Sequence, residues 1–166
     1  MNDVTESSAT RISLRPVEPS DADLNYRIYA DSRALELSST GWNAEQSEIF
    51  LRHQFTAQNN HYWHYYPDST LELVLWDGEP VGRLWLVRTG DEIRILDVVV
   101  RLDSRRQGIG TYLLQELQSE ARQTGRPVLV HLEVNNPSLG LFQRLGFVLK
   151  EEKGPHLLLQ WEPGIE

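Results

Sequence analysis

The sequence predicts a layered α/β or α+β domain built on a mixed sheet of seven strands. Three observations carry this expectation. Apolar residues recur at a helical period in two stretches before residue 60 and again from 109 to 121. The period is 2 from Thr70 to Val100, and turn residues fall where the period changes. The resulting order is strand, two helices, three strands, helix, strand, helix, two strands, which needs layers of helix on sheet.

The elements follow in chain order. Residues 1–10, MNDVTESSAT, are small and polar and read as a flexible N-terminal arm, with one domain expected over residues 11–166. RISLRPV alternates around Ile12 and Leu14 and meets Pro16, the pattern of an edge strand. Ser20 with Asp23 predicts a capping box, and Leu24 and Ile28 an inward stripe, for a helix to about Arg33. Asn43 with Gln46 caps a second helix, with Ile49, Phe50, His53 and Ala57 at inward spacing and the polar QNN at its end. LELVLW, VGRLWLV and EIRILDVVV read as antiparallel strands joined by hairpins at Asp77-Gly78 and near Gly90. Ile109, Leu113 and Leu117 form the stripe of a helix that Gly125 and Pro127 stop. VLVHLEV follows this crossover and should lie parallel to the strand before it. A short helix over 138–145 and strands over 147–152 and 156–161 complete the chain.

Composition narrows the function. With 166 residues, 40% of them apolar, the chain is long enough for one core. No apolar run reaches the roughly 18 residues of a membrane span, and the first residues lack a signal-peptide pattern, so a soluble cytoplasmic protein is expected. The absence of cysteine excludes disulfides, thiolate zinc sites and an acyl-cysteine relay. A net charge of −8 argues against nucleic acid as a partner.

The most informative stretch is VVVRLDSRRQGIGTYLLQEL, in which a buried strand turns through Gly108 and Gly110, beside Arg105 and Arg106, directly into a helix. A helix N-terminus offers unpaired N–H groups and partial positive charge, and the glycines let a ligand approach the backbone. The ligand expected is a local polyanion such as a pyrophosphate. The stretch lacks the Gly-Lys-Ser/Thr of a Walker loop and the third glycine of a dinucleotide fingerprint. A glycine turn serving only tight helix-on-sheet packing is the competing account.

Arg105-x-x-Gly108-x-Gly110, after an apolar strand and opening a helix, resembles the acetyl-CoA signature of the GNAT superfamily of N-acetyltransferases. NPSLGLFQRLGF, from Asn136 to Phe147, is similar to the second signature of that family, and the element order over about 11–162 matches as well. The opening, middle and closing segments look like a bacterial branch of it. The resemblance implies a GNAT-like, mostly antiparallel mixed sheet with flanking helices and acetyl-CoA as cofactor. It implies that main-chain N–H groups of Arg106, Gln107, Gly108, Ile109, Gly110 and Thr111 wrap the pyrophosphate, with Arg105 opening the motif. The strand Val98, Val99, Val100 would hold the pantetheine arm, through the main chain of Val98 and Val100, in a splay against the strand at 128–134. The family asparagine is Asn136, or Asn135, and an asparagine that merely starts a turn before Pro137 is the alternative.

The resemblance also implies direct attack of an acceptor amine on the thioester in a ternary complex. Candidate general bases are Asp97, Glu92 and Glu133, and no spacing selects among them. Asp97 beside Val98 would gain basicity from partial burial, or else pair with Arg83 or Arg94. At the position where the family leads one to expect a tyrosine acid stands Phe142, which has no proton to give but can pack on the cofactor arm. His61 and His64 in HYWHYY lack the company of a metal site, so no metal is expected; the aromatic run borders the acceptor site or packs on the sheet edge. His156 faces the same choice between cleft and core. The partners expected are a small-molecule or peptide amine, a homodimer being compatible with the fold. A domain that binds acyl-CoA and regulates a partner without turnover is the alternative function.

Overall fold

The computed structural model describes residues 11–164. The expectation for residues 1–10 lies outside the described part. Seven strands form one sheet in the order β1-β2-β3-β4-β5-β7-β6. They are β1 (Ile12–Pro16), β2 (Thr70–Trp76), β3 (Glu79–Arg88), β4 (Ile93–Val100), β5 (Val128–Glu133), β6 (Val148–Lys153) and β7 (His156–Trp161). The helices are α1 (Ala22–Leu37), α2 (Ala44–Tyr65), α3 (Ile109–Thr124) and α4 (Leu139–Arg144). All neighbours are antiparallel except β4 and β5, which the crossover helix α3 makes parallel. β1 is an edge strand as its proline requires. Asp77 and Gly78, both at positive φ (50° and 83°), close the β2–β3 hairpin.

The amphipathic face of α3 packs Ile109, Leu113, Leu117 and Ala121 against Leu84, Leu86, Ile93, Ile95, Val128 and Val130 on one side of the sheet. α1 and α2 cover the other side over β2–β4, where Ile28 meets Leu73 and Val99, and Tyr62 meets Leu71 and Trp85.

Three expectations are corrected in these helices. The start of α1 is held by Asp21, not by Ser20 and Asp23: the Asp21 carboxylate accepts from the Glu18 N–H at 2.8 Å and from Arg15 at 2.7 and 3.0 Å. Arg15 and the Glu18 N–H hold that carboxyl at a pKa of about 2. The second helix does not end at the polar run QNN. Asn59 Nδ2 donates to the Phe55 carbonyl at 2.7 Å within the helix, which continues through HYWHY until Pro67 forces Tyr66 out of helical geometry. Its phase also differs. Leu51, Phe55, Gln58 and Tyr62 turn inward, whereas Ile49 is 65% exposed and His53 and Ala57 face solvent. The inward set includes a glutamine because its partner on the sheet is an arginine.

Candidate functional site

The site is assembled by an irregularity in β4. Opposite Trp85 and Leu86 of β3 stand Asp97 and Ile95, so Leu96 is an extra residue, a β-bulge. Its consequence is a change of phase. Ile93 donates its N–H to Pro127, on the β5 side, at 2.9 Å, whereas beyond the bulge Arg101 donates to Val81, on the β3 side, at 2.8 Å. Alternation from Arg101 turns the main chain of Asp97 and Val99 to β3 and that of Val98 and Val100 away from it. β5 pairs with β4 only at Ile93, Arg94 and Ile95. Past Ile95 the two strands part, and the main-chain groups of Val98 and Val100 face the splay. The bulge is supported from α2, where the Tyr62 hydroxyl donates to the Leu96 carbonyl at 2.9 Å. Burial pushes the pKa of that hydroxyl up to about 12, so it remains a donor at any physiological pH.

The strand-to-helix corner lies at the end of this edge. After β4 a 3-10 turn, Leu102–Ser104, is tied to α1 by Asp31, whose carboxylate accepts from the Leu102 N–H at 2.8 Å. Arg105 reaches back to donate from Nε to the Val100 carbonyl at 2.9 Å, fastening the loop to the strand. Arg106 and Gly108 are both left-handed, at φ 64° and 81°, the alternation that turns successive N–H groups into one concavity. The first i→i−4 bond of α3 runs from Tyr112 to Gly108. The N–H groups of Ile109, Gly110 and Thr111 precede it, and Gly108 has no side chain to cap them. Gly110 serves packing too: a Cβ there would stand 3.0 Å from Leu141 of α4. The corner therefore has both properties, close packing and an open anion cradle. Arg101 adds a charge that the sequence motifs do not single out; among the described residues its Nε is buried without a hydrogen-bond partner, and the Asp103 carboxylate stands 3.8 Å away.

A polar cluster lies under α1 and α2 at the level of the bulge. Arg83 of β3, at 0% side-chain exposure, donates to Asp97 at 2.6 and 3.0 Å, to Asn25 of α1 at 3.0 Å and to Gln58 of α2 at 2.5 Å. Asp97 keeps 21% of its side chain exposed. Asp97 is thus paired with Arg83, while Arg94 takes Glu92 at 2.7 Å. Glu133 is exposed at the end of β5, opposite His156, itself exposed, at the start of β7. Asn136 caps the approach to α4, its Oδ1 accepting from the Ser138 N–H at 2.7 Å, which leaves its Nδ2 for a ligand; Asn135 is exposed in the preceding turn. The Val99, Ile109 and Phe142 side chains point into the core, Phe142 at 0% exposure and edge-on to Phe147. Direct contact of the Phe142 ring with a ligand would need the core to open. His61 lies tilted against Tyr65 and His64 edge-on to it, and among the described residues no group of three or more His, Asp or Glu is placed to hold a metal.

His131 of β5 borders the open end of the splay. Its Nδ1 lies 3.3 Å from Arg94 Nη1, and since a guanidinium only donates, Nδ1 accepts and the proton sits on Nε2. Burial first, then the Arg94 charge and His156, hold its pKa below the usual imidazole range, against the opposing pull of Glu151 and Glu92. A base whose folded pKa lies below its unfolded value destabilises the fold once it is protonated, so His131 erodes stability as pH falls below about 6.5. Histidine titration by NMR should place His131 below that value, and Arg94→Gln should move it upward. A downward move would contradict the assigned repulsion.

The fold is that of an acyltransferase family. The model of the acetyltransferase (GNAT) family matches residues 32–147, and the chain belongs to that family. Similar solved structures include the PaiA N-acetyltransferase of Thermoplasma acidophilum in complex with coenzyme A, at TM-score 0.69 and 14% identity over 91% of this chain and 98% of that one. An acetyltransferase from Thermus thermophilus superposes at TM-score 0.66 with 22% identity, over 92% of this chain and 97% of its own. The ribosomal-protein-S18-alanine N-acetyltransferase of Escherichia coli does so at 0.61 with 16%, over 93% and 96%. No curated protein matches the sequence. Among the described residues no helix is long and apolar enough to cross a membrane.

Proposed function

We propose that residues 11–166 act as one cytoplasmic N-acetyltransferase domain that moves an acetyl group from acetyl-CoA to a primary amine by direct attack. The single observation that carries this reading is the anion cradle of Arg106–Thr111 at the end of a strand whose main-chain edge, beyond Ile95, meets no partner strand across the splay. These residues fit the cofactor. The N–H groups of the cradle and the charges of Arg101, Arg105 and Arg106 suit the pyrophosphate, the edge at Val98 and Val100 suits the pantetheine amides, and Asn136 Nδ2 lies free for another. When bound, acetyl-CoA supplies an acetyl group already activated as a thioester.

The chain's own part is orientation, charge stabilisation and proton removal. The Val98 N–H, first on the splayed edge after the bulge, is the donor aimed at the thioester oxygen. The carboxylates of Asp97 and Glu92 are each paired with an arginine, Asp97 through Oδ2 alone. Glu133 has no ion pair among the described residues, and we assign it the amine proton, taken directly or through one water. Phe142 has no proton to give, so solvent or the acceptor ammonium supplies the one the thiolate needs. The acidic chain favours a cationic acceptor.

Thiol release from acetyl-CoA over a panel of peptide N-termini, lysine, polyamines and aminoglycosides tests this reading. With no cysteine in the chain, every thiol detected comes from the cofactor. Release that requires both enzyme and one class of amine is the expected result. Tight CoA binding with no release on any amine would leave a regulatory acyl-CoA-binding module in its place.

Asp97→Asn separates support from catalysis. Breaking a buried ion pair from one side costs about 3–5 kcal/mol, less here because asparagine still accepts from Arg83. At roughly 2–4 °C per kcal/mol for a chain of this length, melting should fall by about 5–10 °C. Turnover of the folded variant should fall by less than about a hundredfold, the lower end of a general-base contribution. A larger rate loss at unchanged melting would make Asp97 the base.

A further inference from the structure

We infer that Tyr62 is a positioning residue for the acetyl-binding stretch of β4, acting by pinning the bulge at Leu96. The inference rests on the acetyl-CoA reading above and adds to it a residue outside both sequence signatures. Two side chains one turn apart on α2 hold adjacent residues of β4: Gln58 reaches Asp97 through Arg83, and Tyr62 holds the Leu96 carbonyl directly. The bulge decides which main-chain groups face the splay. Were it lost, the alternation of Ile93 and Ile95 would run on unbroken, and Asp97 and Val99 rather than Val98 and Val100 would face the cofactor. A bulge leaves a carbonyl outside the ladder, and that carbonyl must find a donor when it is buried. Leu96 is buried, and Tyr62 supplies the donor from a ring fixed edge-on to Trp85 at 5.0 Å. Trp85 is fixed in turn by its Nε1 donating to Ser69 Oγ at 2.8 Å. The hydroxyl is thus delivered by a stack that does not itself touch the splay.

Tyr62→Phe keeps the ring and removes only the donor. The test compares the affinities of the full chain for CoA and for acetyl-CoA without acceptor, by calorimetry, and then turnover on the amine found by thiol release. The ratio of the two affinities reads the seat of the acetyl group alone, since pyrophosphate and pantetheine contacts cancel. Tyr62→Phe should weaken CoA by a few-fold, since its pantetheine meets the same edge, weaken acetyl-CoA further so that most of the discrimination between the two is lost, and turn over roughly tenfold more slowly at a KM for the acceptor within a few-fold. Ser69→Ala is the companion variant: it loosens the same stack through Trp85 and should lower melting while leaving the affinity ratio in place. The inference is overturned if Tyr62→Phe keeps both ratio and turnover within twofold of wild type, or if Ser69→Ala changes the ratio as much as Tyr62→Phe does, which would make the effect one of general loosening. A wild-type chain that binds neither CoA nor acetyl-CoA would instead overturn the acetyltransferase reading, and this inference with it.

Discussion

Gly108→Glu should abolish measurable binding of CoA while the variant remains folded. Gly108 ends the loop and caps α3 at φ 81°, with its own N–H and those that follow lining the cradle. A glutamate there has three effects. It strains a left-handed residue by roughly 1–2 kcal/mol, it fills the space a phosphate would take, and it brings a carboxylate to the positive end of a helix in competition with the ligand. The second acts on binding alone, and the third opposes binding while favouring the helix. Gly108→Asn separates them from the first, because asparagine tolerates the left-handed region and carries no charge. Calorimetric titration should give a loss of roughly a hundredfold or more for Gly108→Glu and of about tenfold or less for Gly108→Asn, with melting of both within several degrees of wild type. Equal affinities in wild type and folded Gly108→Glu would mean that the cradle is a packing turn and nothing more.

The cradle was legible because its chemistry is local: two glycines, two arginines and the switch from strand to helix are contiguous in sequence. The strands from Thr70 to Val100 were legible for the same reason, their period and the Asp77-Gly78 turn being properties of neighbours. What could not be read is whatever depends on partners far along the chain. Arg83 sits in the apolar run VGRLWLV, and no pattern announces that Asn25, Gln58 and Asp97, from three other elements, will satisfy it. Because Gln58 turns inward to that arginine, the polar QNN reads as a helix end and the phase of α2 is misjudged. The bulge did leave a trace. The residues of β4 that face α3 are Ile93, Ile95, Val98 and Val100, with a step of three where a regular strand takes two. Its function, and the use of Tyr62 from the aromatic run to secure it, required the fold.

Gly82→Ala should be the most destabilising small substitution in the sheet, and it should reach the cofactor without touching it. Gly82 stands opposite Val100, and the register places this pair at a non-hydrogen-bonded position, where the two backbones come closest. A Cβ at Gly82 would lie 2.1 Å from the Val99 carbonyl oxygen, 3.2 Å from its carbon and 3.3 Å from the Val100 Cα. These are backbone atoms in the middle of a ladder, so no rotamer change relieves the overlap. The end of β4 must move from β3 by roughly an ångström, breaking the pairing at Val99 and carrying Val98 and Val100, with the splayed edge they form, out of place. The cost belongs in the rare tail of single-substitution effects, about 4 kcal/mol or more, equivalent to a fall of roughly 10 °C in melting at this chain length. CoA affinity of the protein still folded at 25 °C should drop by more than about tenfold, because the edge that meets the pantetheine has shifted. Gly90→Ala makes the same chemical change in the next hairpin, where a Cβ meets nothing within 4 Å, and should leave melting within about 2 °C and CoA binding as in wild type. If Gly82→Ala behaves like Gly90→Ala in both measurements, the β3–β4 ladder is looser than its register implies, and the fixed main-chain edge on which the cofactor assignment depends does not exist.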